Sequence, residues 1–112
     1  MSANVTDEQI QQVAASAKPF SLVQLRWTDD RHRDGADAIE LEHQRRMVGL
    51  RADGVIAILC PVLSETLAGV AVMTVETERA EEIMAKDPCV QAGMMTYEVF
   101  ACLSFPGDTV PR

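Results

Sequence analysis

Two neighbouring segments of this chain, residues 55–60 and 68–75, are apolar at nearly every position instead of every second one. A strand with one wet face alternates apolar and polar residues. A strand without alternation is buried on both faces. Whatever fold the chain adopts must therefore cover both sides of the sheet that holds these segments.

The order of elements narrows the choice. Thr6-Asp7-Glu8-Gln9 reads as a capping box, in which Thr6 and Gln9 each satisfy the other's free amide. It predicts a helix over 7–17, with Ile10, Val13 and Ala14 on one face, ended by Lys18-Pro19. A strand over 20–28 follows, then a charged loop with His32, then a helix over 36–51 that Asp53-Gly54 stops. Strands over 55–60, broken by Pro61, and over 68–75 come next. Thr77 is the expected N-cap of a helix over 78–86, which Asp87-Pro88 terminates, and a strand over 95–103 closes the series.

After the first helix the order is β-α-β-β-α-β, the split βαβ pattern of the ferredoxin-like α+β class. It predicts a four-stranded antiparallel sheet with two helices on one face. The chain divides into an N-terminal helical extension (1–19), the α+β domain (20–105) and a tail (106–112). Two helices cover only one sheet face, and the doubly apolar strands need the other covered too. A second copy of the chain meets that need, which predicts a homodimer with sheets face to face, a dimeric α+β barrel. The competing arrangement is a monomer whose N-terminal helix lies over the second face.

Charge excludes some partners. The 112 residues carry a net charge of −7, which disfavours nucleic acid and anionic membrane surfaces. A small anion is not excluded, because local arginines can dominate a cleft. Cys60, Cys89 and Cys102 lack metal-ligand spacing and are expected to be buried free thiols in a reducing cytosol. No signal-peptide pattern opens the chain, and its longest apolar run is too short to span a bilayer. Cytoplasm is the expected compartment.

Few residues are placed where a core would not ask for them. Ile39, His43, Met47 and Leu50 fall on one helical stripe, so His43 should point inward beside three core residues. A lone inward histidine is often only a satisfied core residue. Here Asp87, held extended by the following proline, belongs to the second helix region over the same sheet face, so the two are allowed to meet. A carboxylate on one ring nitrogen would fix the tautomer and strengthen the other nitrogen as a base. On the first strand, Arg26 either pairs with Glu98 for packing or lines a cleft and holds an anionic substrate group. Trp27 either walls such a pocket or is core. Two histidines without ligand spacing make a metal site unexpected, and no cofactor fingerprint is present.

The run from His43 through Gly54 and Pro61, then Asp87-Pro88, Ala92-Gly93 and Tyr97-Glu98-Val99, resembles the YCII-related family. The resemblance covers about residues 20–105 and departs at Cys60, where a glycine usually precedes the proline. It implies a dimeric α+β barrel of ferredoxin-like class, with His43 and Asp87 as an active-site dyad. Some relatives are dehydrochlorinases of chlorinated aromatics, and structural cousins include muconolactone isomerases. The expected function is cofactor-free acid–base chemistry, an isomerisation or dehydrochlorination, on a small anionic or phenolic molecule. The alternative is a non-enzymatic small-molecule binding or sensing dimer, or an accessory subunit.

Overall fold

The capping box forms as read: Gln9 N–H donates to Thr6 Oγ1 at 3.2 Å and Thr6 N–H to Gln9 Oε1 at 2.9 Å. It opens α1 (Asp7–Ala15) in a computed structural model that describes residues 4–112. The first three residues of the expected extension lie outside the described residues. The chain continues as β1 (Lys18–Trp27), α2 (Ala36–Ala52), β2 (Ile56–Pro61) and β3 (Leu67–Met73). It ends with α3 (Thr77–Ala85), α4 (Pro88–Gln91) and β4 (Met95–Ser104).

The strands form one antiparallel sheet in the order β2-β3-β1-β4. With the succession of elements, this is an α+β architecture compatible with the ferredoxin-like class. Glycine ends α2 for a conformational reason: Gly54 takes φ 78°, a left-handed value that side chains resist. The chain can then turn directly into β2.

Side-chain alternation divides the sheet. Ser21, Val23 and Leu25 of β1 are buried, as are Ala71 and Met73 of β3 and Ile56 of β2. They share a core with Met47 of α2, Ala80, Ile83 and Met84 of α3, and Cys89 of α4. The helices after β1 therefore pack on one face. On the other face, Leu22, Val70 and Val72 are half-buried and Phe100 is exposed. α1 buries none of its residues, so it does not cover that face. The full two-sided burial expected of residues 55–60 and 68–75 is not reached within one chain.

Three local expectations are corrected. Thr77 is not an N-cap: Glu76 holds that position, without a side-chain cap bond, and Thr77 is the first helical residue. Asp87-Pro88 ends α3 but also begins the short α4, which the sequence reading omits. Of the cysteines, all free, only Cys89 is buried; Cys102 is half-buried, and Cys60 is exposed on β2, an edge strand of the sheet. Among the described residues, no helix is long and apolar enough to cross a membrane.

Candidate active site

α2 presents Ala36, His43 and Met47 to the core, the consequence of the four-residue spacing of His43 and Met47. Against the middle of this stripe lies the α3–α4 junction. Asp87 sits there with φ −65° and ψ 134°, the extended backbone that a following proline imposes. Pro88 suits the first helical position because it has no amide to leave unsatisfied. Asp87 caps α4: Oδ2 accepts from the amides of Cys89 at 2.9 Å and Val90 at 3.3 Å. That leaves Oδ1 free to face α2.

His43 Nδ1 lies 2.7 Å from Asp87 Oδ1. Asp87 is fully buried and His43 is 9% exposed. A carboxylate that already takes two amides acts as an acceptor, so the shared proton is assigned to Nδ1, and Nε2 keeps its lone pair in the neutral ring. The sequence-predicted pair is thus brought together, and the contact has the length of a strong, charge-assisted bond.

A third group went unnoticed in the sequence. Arg46, almost one turn after His43, donates from Nη2 to the Ile83 carbonyl at 2.6 Å. Its Nη1 lies 3.9 Å from Asp87 Oδ1 and is buried, with no hydrogen-bond partner among the described residues. The guanidinium compensates the buried carboxylate charge while fastening α2 to α3. The i, i+3 spacing from His43 was the available signal.

His43 lines a cavity of about 290 Å³ between α2 and the β1–β3–β2 end of the sheet. Leu25, Met47, Leu59 and Met95 make its walls apolar, and Trp27 closes one side. Arg31 stacks on the Trp27 ring, 4.0 Å from its centroid, a cation–π contact that steadies the indole. The polar side chains at the wall, besides the His43 imidazole, are Glu40 and Gln44 of α2. Arg26 is not there. It lies on the opposite sheet face, 3.9 Å from Glu98, both side chains half exposed. Arg26 therefore does not share the cavity of His43, whereas Trp27 lies in its wall. His32 is exposed in the loop after β1. That loop is tied down, since Arg33 donates to the Ala92 carbonyl at 2.8 Å.

His43, Asp87 and Cys89 bring possible metal-ligand atoms within 4.8 Å of one another. Burial, then the charges of Asp87 and Glu40, push the Cys89 thiol up to about 12, so it resists becoming a thiolate. Asp87 is committed to its cap and to His43, and Arg46 places a positive charge beside it. No model of a known protein family matches the chain, and no curated protein is similar to it in sequence.

Proposed function

We propose that this protein is a YCII-like homodimer that performs cofactor-free acid–base chemistry on a small phenolic or enolisable molecule. His43 Nε2 takes the substrate proton and returns it elsewhere on the molecule in an isomerisation. In a dehydrochlorination the same step leaves an electron pair that expels chloride as the new double bond forms. Asp87 holds the ring in the Nδ1–H tautomer and stabilises the imidazolium that forms. The observation that carries this reading is the buried 2.7 Å His43–Asp87 bond at the wall of an apolar cavity. The second copy supplies cover for the sheet face that bears Leu22, Val70, Val72 and Phe100.

The test needs no knowledge of the natural substrate. Enolisable lactones and cyclic ketones in D₂O are expected to gain deuterium next to the carbonyl when the protein is added. His43→Ala is expected to abolish that exchange, and Asp87→Asn to slow it by about two to four powers of ten. Exchange at the wild-type rate in either variant would show that the dyad is not the base.

A further inference from the structure

Glu40 precedes His43 by three residues on α2 and lines the same cavity. It is half-buried and makes no ion pair among the described residues. Its charge adds, after burial and Asp87, to the upward push on the Cys89 thiol. No lysine or arginine among the described residues lines the cavity: the Arg46 guanidinium on α2 is turned to Asp87 and Ile83, and that of Arg31 is stacked on the Trp27 ring. A cavity built for a carboxylate or phosphate presents the opposite arrangement, a cation or a cluster of amide donors.

We infer that Glu40 sets the charge class of the ligand: the cavity takes an uncharged, single-ring, mainly apolar molecule and rejects its carboxylate counterpart. This deepens the acid–base reading and rests on it for the ligand's proton-bearing group. Like charges along an apolar wall repel with little water between them, and the ligand also loses hydration on entry. A neutral ligand meets mainly apolar walls, the Trp27 ring and the His43 imidazole, and carries no charge for Glu40 to repel. The volume, at the small end for ligand cavities, limits the guest to about one substituted ring. A substrate whose acidic proton is a phenol or a carbon acid enters neutral and becomes charged only beside His43, whose own new positive charge then compensates it. Glu40 thus opposes prebound anions without opposing the anion formed in the reaction.

The experiment compares benzamide with benzoate, two probes of one shape that differ in charge. The readout is the indole N–H resonance of Trp27, the single tryptophan, followed during titration at neutral pH. Benzamide is expected to bind at least about tenfold more tightly than benzoate. Glu40→Gln, which keeps the side-chain shape on a partly exposed helix position, is expected to tighten benzoate about tenfold and to change benzamide less than about twofold. Benzoate binding as well as benzamide to the wild type would overturn the inference. So would a ratio that Glu40→Gln leaves unchanged, or no shift of Trp27 with either probe up to its solubility. Binding alone is read, so these outcomes are separate from deuterium exchange: a working charge filter on a protein that exchanges no deuterium would remove the chemistry and keep the filter.

Discussion

Arg26 and His43 lie on opposite sides of the sheet, although Arg26 is adjacent to a residue, Trp27, that shares the cavity with His43. Strand alternation is the cause: neighbours along β1 point to opposite faces. Arg26→Ala is therefore expected to leave benzamide binding at Trp27 unchanged. Its pairing with Glu98 is long and half exposed, so the substitution should cost less than about 1 kcal/mol in urea unfolding. A large loss of ligand binding would place Arg26 in the site after all.

Asp87 accepts from His43 and from the amides of Cys89 and Val90. Asp87→Ala leaves those buried donors without their acceptor and the Arg46 guanidinium without its counter-charge, and is expected to cost about 3–5 kcal/mol of stability. Asp87→Asn keeps a cap and should cost less. Nitrogen NMR of the neutral His43 ring should show the Nδ1–H tautomer in the wild type and a mixture in Asp87→Asn, because the amide can donate as well as accept. An Nε2–H tautomer in the wild type would contradict the assignment of the shared proton.

Cys89 has a thiol pushed from 9.0 to about 12, first by burial, then by the charges of Asp87 and Glu40. The folded state therefore holds a proton that the unfolded state releases between those two values. This contribution to stability is present below about 9 and is lost as pH rises toward about 12. Iodoacetamide at pH 8 should label the exposed Cys60 quickly and leave Cys89 unlabelled until the protein is unfolded. Rapid labelling of Cys89 in the folded state would show that it is neither buried nor held as a thiol.

The proposed dimer makes a mass prediction. Sedimentation should give twice the single-chain 12.3 kDa. Phe100 lies 44% exposed on the sheet face that the helices leave uncovered. Phe100→Glu should therefore return the protein to single-chain mass while the helix-side core stays folded. A wild-type protein that sediments as one chain would refute the dimer.

The sheet and α2 were legible because their signals are long: six or more residues of apolar patterning for each strand, and a four-membered stripe that put His43 inward. The dyad was legible as a permitted meeting, since both partners belong to elements on one sheet face. Its distance was not, because it depends on how α3 gives way to α4. That short helix is not predicted, even though Asp followed by Pro is a helix-start signature, because the same pair also reads as the stop of α3. Arg46 was missed because polar residues on an amphipathic helix usually face water. Its long stem instead reaches across to the Ile83 carbonyl. Glu40 could not be placed from spacing alone, since its exposure depends on the gap left between α2 and β2.

The cap that Asp87 places on α4 has a meaning for how this sequence can change over time. A chain of this kind would keep Asp87 with or without the proposed reaction, because the helix start and the buried amides need an acceptor there. Retention of the Asp-Pro pair among related chains would therefore record the demands of folding before those of chemistry. No helix terminus depends on His43. Its replacement, with Asp87 kept, is the mark by which a related chain without the proposed chemistry would be known.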